Sequence, residues 1–398
     1  MYPSIVRSAW REHGQALLLG ASAVMAAAAV VWLGYQFWRL LWQEAPLWSS
    51  SASGAVDLRN LRDVTQHWFG GSPVYSELKY AVLPPATYAM LWPLLGWLPL
   101  TAARWLWAAI SVAALGWLIY LVEQASGAET PVERVFVGLM PLSMYATGAA
   151  IGNGQLTVPL LPMLLAGLLL LREHPRGDRR DLWPAALVLL ALVKPSLTAP
   201  FLWIVLFVPG RLRPALLVAS GYAALTLLAA AFQARGLPSL LRDWLARASD
   251  VAARQGYADL HTGLAALGLE QWLLPASLLV LAGLGVWIYR HRRADLWLLM
   301  GVTAIVARFW TYHRWYDDLV LLLPMMALWR IARRGPVAGR SDMVAGLLLT
   351  VSLGAMLAPG GLYLLPPPWN EWYVGAQVLA WAIVLVFLVD RVRRETSI

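Results

Sequence analysis

The chain contains no cysteine, so disulfides, thiolate metal sites and a cysteine nucleophile are excluded together. Charge is scarce as well: 13% of the residues are Asp, Glu, Lys or Arg, whereas soluble domains carry about 25%. No Walker loop, HExxH or GxSxG pattern occurs, and no internal repeat is visible. What remains is apolar, with 60% of the 398 residues hydrophobic. This composition reads as an all-α polytopic membrane protein. The 23 Trp and 14 Tyr, against 8 Phe, suit many lipid–water interfaces, where rings with a polar end sit at headgroup depth. The net charge of +9 comes from short Arg clusters between apolar runs, a pattern that orients a membrane protein rather than one that tracks nucleic acid.

A spanning helix needs roughly 17–25 apolar residues. On that measure, spans are expected at residues 15–38, 105–122, 135–150, 156–171, 214–232, 272–289, 296–309, 319–330, 343–358 and 373–389. Residues 182–209 are interrupted by Lys194-Pro195-Ser196 and read as two short helices, since proline breaks a helix. That makes about 12 transmembrane helices, the first of them uncleaved. The clusters Arg7/Arg11, Arg172 to Arg180, Arg211/Arg213, Arg290 to Arg293, Arg330 to Arg334 and Arg391 to Arg394 are all expected inside. Both termini are then cytoplasmic. This parity holds if residues 81–98, with Pro84, Pro85 and Pro93, do not span but lie along or dip into the outer face. The chain is read as one integral membrane domain, 1–398, with a first outer loop at 43–98 and a second at 233–271.

Polar groups from distant segments then converge on the outer face. In DLRNLRDVTQHWF, Leu58, Leu61, Val64/Thr65 and Trp68 recur at helical spacing, with Asn60, Asp63 and His67 opposite. An interfacial helix is expected from Asp57, ended by Gly70-Gly71 and followed by an extended PVY stretch. Asp57 is either the N-cap of that helix or a carboxylate kept ionised by Arg59 and Arg62 and able to accept a proton. Lys194 is either a snorkelling side chain or a functional intramembrane cation. GNGQ, at Gly152 to Gln155, is either a plain helix start or a set of exposed N–H groups for a phosphate or sugar hydroxyl. In TYHRWYDD, His313 and Arg314 form an anion site with Asp317 as its orienting partner, and Trp310, Tyr312, Trp315 and Tyr316 read as interface anchors. Asp317-Asp318 is a weak metal pair, and no metal is assigned.

Taken in order, Asp57, Gly70-Gly71, Pro73, Tyr75, Tyr80 and Pro84-Pro85, then GNGQ, then Lys194-Pro195, then WTYHRWYDDLVLLLP, resemble the family 87 glycosyltransferases, membrane enzymes of the GT-C class. The resemblance covers most of the chain from Val56 to Pro324. It implies a GT-C-like bundle with juxtamembrane helices on the outer face and inverting transfer of a hexose, mannose first, from a polyprenyl-phosphate sugar to a lipid or glycan acceptor. The catalytic carboxylate maps to Asp57; Lys194, His313, Arg314, Gln155, Tyr80 and Asp317 are expected to bind substrate. No cofactor and no nucleic acid are expected, only substrates and membrane lipids. The implied setting is a bacterial inner membrane with the site on the periplasmic side. Lys194→Ala is expected to weaken donor use while leaving folding largely intact. Residues 233–271 depart from the family pattern and leave the acceptor open. The alternative is a transporter or lipid flippase, which would also carry broken helices and an intramembrane Lys.

Overall fold

A computed structural model describes residues 2–44, 53–173, 181–255, 258–333 and 340–396, which are mostly helical with no strand among them. Arg176, Arg179, Arg180 and Arg334 of the expected clusters lie outside the described residues, as do the side chains of Arg7 and Arg11, residues 45–52 of the first outer loop and 256–257 of the second.

The chain runs through α1 (Tyr2–Trp42), α2 (Val56–Phe69), α3 (Val74–Glu77), α4 (Pro85–Leu95), α5 (Leu100–Ser126), α6 (Pro131–Ser143), α7 (Tyr145–Asn153) and α8 (Thr157–Glu173). It continues through α9 (Leu182–Ala191), α10 (Pro195–Thr198), α11 (Leu202–Phe207), α12 (Arg213–Ala230), α13 (Leu237–Gln255) and α14 (Leu260–Ala266). The last helices are α15 (Leu273–Arg290), α16 (Leu296–Phe309), α17 (Leu322–Ala332), α18 (Arg340–Met356) and α19 (Trp369–Thr396), with a 3₁₀ turn, Trp315–Leu321, leading into α17.

Among the described residues, five helices are long and apolar enough to cross a membrane: α1, α5, α12, α15 and α19. Two bent pairs, α7 with α8 and α9 with Pro195–Phe207, raise the number to seven at most. The expected twelve spans are therefore not reached by length and composition. The physical reason is that the chain builds much of its apolar mass from short pieces. At about 1.5 Å per residue, the 14 residues of α16 fall well short of a hydrocarbon core of about 30 Å. Residues 81–98 contain only the 11-residue α4, too short to cross; its start follows Pro84, Pro93 lies within it, and most of it is buried. The extended PVY stretch is instead the one-turn helix α3.

The two short helices expected in residues 182–209 are present. Their axes turn by 118°, and the Arg211 guanidinium meets Asp181 at 2.6 Å, so the two ends of the pair come together. Pro195 has no N–H and disfavours helix at Lys194, so the break strands backbone carbonyls at depth. Side chains satisfy them. Thr87 Oγ1 on α4 donates to the Val193 carbonyl at 2.8 Å, Thr198 Oγ1 to the Ala191 carbonyl at 3.0 Å, and Trp310 Nε1 to the Ser196 carbonyl at 2.8 Å. Broken backbone is tolerated in an apolar setting when it is buried in protein this way.

The amphipathic α2 buries Leu58, Val64, Thr65 and Trp68, as its spacing predicts. Trp68 stacks on Tyr88 with ring centroids 4.9 Å apart and donates through Nε1 to the Ala229 carbonyl at 2.8 Å. This second apolar cluster ties α2 to α3, α4 and the end of α12, and Tyr80 packs against it. The turns around Ala125, Glu129, Asp295 and Arg330 to Arg333 gather at one end of the bundle, where Arg330 hydrogen-bonds the Ala125 carbonyl and Arg333 pairs with Glu129 at 3.0 Å. At the opposite end of α5, Arg104 pairs with Glu44; at the far end of α15 and α16, Ser277 Oγ donates to the Trp310 carbonyl at 3.0 Å.

Candidate active site

The start of α2 is clamped, and the clamp fixes where Asp57 stands in the helix. The N-cap is Ala55, held in the left-handed region at φ 55°, with no side-chain capping bond. Asp57 sits inside the first turn, so the N-cap reading is overturned. Ala55 N–H donates to the Gly152 carbonyl at 2.8 Å. A Cβ on Gly54 would lie 1.7 Å from the Arg39 carbonyl oxygen, and one on Gly154, at φ +74°, would lie 2.4 Å from Leu58 Cβ. The entry to α2 is thus wedged between the end of α1 and the α7–α8 turn.

GNGQ proves to be a helix end rather than a start. The N–H groups of Gly154 and Gln155 return to the carbonyls of Ile151 and Ala150, at 2.9 and 2.8 Å, so neither is presented to a ligand. What the turn does present is the Gln155 side chain. It hydrogen-bonds Asp57, and its Oε1 accepts from Lys194 Nζ at 3.2 Å. Lys194 Nζ also donates to Asp317 Oδ1 at 2.6 Å and stands 5.1 Å from the centroid of the Tyr316 ring. Thr157 Oγ1 donates to the same Asp317 oxygen. Lys194 is 6% exposed and Asp317 2%, so this is a buried pair. It is not a snorkelling lysine.

Asp57 remains partly exposed beside this pair. Burial among protein groups pushes its carboxyl above the usual range, against the Gln155 hydrogen bond and the charges of Lys194 and Arg314, which favour the carboxylate. Tyr312 and Tyr316 close the same space; burial, with Asp317 and Asp57 nearby, raises the Tyr312 phenol to about 12 despite Arg314.

Asp57, Gln155, Lys194, Arg314 and Asp317 are therefore brought together, whereas His313 and Tyr80 are placed otherwise. His313 is buried, its Nε2 2.8 Å from Asp318 Oδ1, and Arg308 Nε meets that oxygen at 2.8 Å. Burial, with Arg308 beside it, holds the imidazole below its ordinary value, against the pull of Asp318. Its backbone N–H donates to Asp259 Oδ2 at 3.1 Å, which docks the start of α14 on this segment. Asp317 and Asp318 diverge, one to Lys194 and Thr157, the other to Arg308, His313 and Tyr145. They are not arranged as a pair.

The aromatics are walls of the site instead of lipid anchors. Trp310 is tied to Ser196, Trp315 lies between Tyr145 and Tyr363 with centroids 6.1 and 5.2 Å away, and Tyr316 is buried under Lys194. One group was missed in the sequence. Arg39 of α1 is buried, donates to Gln36, Gln43 and Asn153 at 2.9, 3.1 and 3.2 Å, and its charge bears on Asp57. The signal was present as Gln36, Arg39 and Gln43, a polar stripe at helical spacing in an otherwise apolar helix. A separate cleft of about 610 Å³ around α13 and α14 is lined by Ser249, Asp250, Thr262, Ala265, Ala266, Glu270 and Leu273.

The model of glycosyltransferase family 87 matches residues 82–312. That stretch includes Gln155 and Lys194 and ends before His313; Asp57 precedes it. No curated protein and no solved structure matches the chain.

Proposed function

Because the chain belongs to glycosyltransferase family 87, we propose that it moves a hexose, mannose first, from a polyprenyl-phosphate sugar to a hydroxyl of a lipid or glycan acceptor at the outer face of a bacterial inner membrane. Membership in a glycosyltransferase family sets aside the transporter or flippase alternative.

The observation that carries the reading is the meeting of Asp57 with Lys194 and Arg314 from three distant chain segments. A lipid-phosphate sugar is already activated, because phosphate is the leaving group. Asp57 takes the proton from the acceptor hydroxyl as that oxygen bonds to the anomeric carbon. The bond from that carbon to the phosphate oxygen breaks, its electron pair stays on the phosphate, and the product configuration is inverted. Burial makes the carboxylate more basic, which suits proton abstraction near neutral pH. Lys194 and Arg314 stabilise the departing phosphate. Among the named groups, Lys194, Arg314 and Arg39 set against Asp57 and Asp317 leave one positive charge in excess, the complement of a phosphodiester. In this reading His313 acts through Asp318 to hold the segment that carries Arg314 and Asp317.

The test is isotope transfer by the purified, reconstituted protein, with washed membranes from cells lacking it as the acceptor source. Label is expected to move from polyprenyl-phosphate mannose and not from GDP-mannose. Equal transfer from the nucleotide sugar overturns the donor assignment.

Orientation follows from the Arg clusters, which the positive-inside rule places in the cytoplasm with both termini. The cysteine-free chain makes this simple to measure. In intact spheroplasts, Glu77→Cys is expected to react with a membrane-impermeant maleimide and Arg293→Cys only after lysis; both positions are exposed. The opposite labelling pattern reverses the topology and moves the site to the cytoplasm.

A further inference from the structure

We propose that Gln155 is a positioning residue, donating through its amide to the Asp57 carboxylate and accepting through its carbonyl from Lys194, so that the base and the cation meeting the leaving phosphate are held in one relation. The inference rests on the assignment of Asp57 as base.

The geometry leaves little else for Gln155 to do. Its backbone N–H is consumed by the Ala150 carbonyl at 2.8 Å, and the residue is buried at 7% exposure. Its two side-chain ends face opposite charges. Oε1 is 3.2 Å from Lys194 Nζ, and the amide serves Asp57. An amide is suited to this bridge because it carries both an acceptor and a donor. A carboxylate would offer only acceptors and an ammonium only donors. Gly154 fixes the side chain's origin, since its left-handed backbone and its contact with Leu58 exclude a side chain there.

The same bridge favours the ionised base. The groups that face Asp57 come from every element around it: Arg39 on α1, Gln155 from the α7–α8 turn, Lys194 at the break before α10, and Tyr312, Arg314, Tyr316 and Asp317 from the segment before α17. Asp317 and burial disfavour the carboxylate; Gln155, Lys194 and Arg314 favour it. Activity that needs an ionised base falls as pH drops through the pKa of Asp57. Loss of the Gln155 donor weakens the charged form, so that fall must move to higher pH.

The experiment is the pH profile of initial rate at sub-saturating polyprenyl-phosphate mannose, with washed membranes as acceptor source, for Gln155→Met and Gln155→Glu beside the unaltered protein. Met keeps the length without the amide. Glu can still accept from Lys194 but adds a like charge against Asp57. The acidic limb is expected to move up by about one to two pH units in Gln155→Met and at least as far in Gln155→Glu. A packing role alone would lower the rate at every pH and leave the limb in place. A folded variant of either kind with an unmoved limb overturns the inference. Asp57→Asn run in parallel separates the two readings: if it retains activity the base assignment fails, and if it is inactive while the limb stays put only the coupling fails.

Discussion

Asp57→Asn is expected to fold normally and to transfer sugar roughly 10²–10⁴-fold more slowly than the unaltered protein. Asn keeps the size of the side chain and can still bond Gln155, but it has no basic oxygen to take the acceptor's proton. The cap of α2 is untouched, because Ala55, not Asp57, occupies that position and no side chain caps it. A thermal midpoint close to the unaltered protein's, together with donor binding in the same range, is therefore part of the expected result. Transfer at near the unaltered rate would remove Asp57 from the chemistry. Asp63, the other acid of α2, is the next carboxylate on that helix, although it pairs with Arg62 at 3.0 Å.

Lys194→Ala is expected to fail twice, in folding as well as in donor use. The sequence argument allowed for loss of phosphate binding alone. The structure adds Asp317, 2% exposed and 2.6 Å from Lys194 Nζ. Removing one partner of a buried ion pair strands the other, which typically costs about 3–5 kcal/mol. The pair is better removed whole: Lys194→Met with Asp317→Asn leaves neither of its charges stranded and keeps a side chain for the Thr157 hydroxyl to meet. That double variant is expected to recover most of the lost thermal midpoint while its KM for polyprenyl-phosphate mannose stays at least about tenfold raised, the scale of one lost charge-assisted hydrogen bond. A double variant with an unaltered donor KM would show that Lys194 serves only the fold.

The sequence by itself determined the features that depend on near neighbours. Scarce charge and long apolar runs identify a membrane chain, because transfer free energy depends on composition. Helical spacing identifies the buried face of α2, and Gly70-Gly71 its end. Pro195 marks the break at Lys194, since a missing N–H acts within one turn. The order of Asp57, GNGQ, Lys194-Pro195 and TYHRWYDD was readable for the same reason.

What only the tertiary structure decided is who meets whom. Asp57 had two readings while the start of α2 was unknown. The N-cap reading was removed by Gly152 and Arg39, which press on residues 54 and 55 from other helices. Lys194 and Asp317 are separated by 123 positions and Tyr145 and Asp318 by 173, and no local periodicity encodes such contacts. His313 looked like a group exposed beside Arg314, yet it is buried with its ring against Asp318, which Arg308 also meets. Tyr316 looked like a lipid anchor and became the ring beneath Lys194. The span count was not confirmed for a related reason: short helices with satisfied ends can replace long ones only when neighbours supply the hydrogen bonds, as Thr87, Thr198 and Trp310 do around Lys194. Whether such partners exist is a property of the folded chain, not of any window of its sequence.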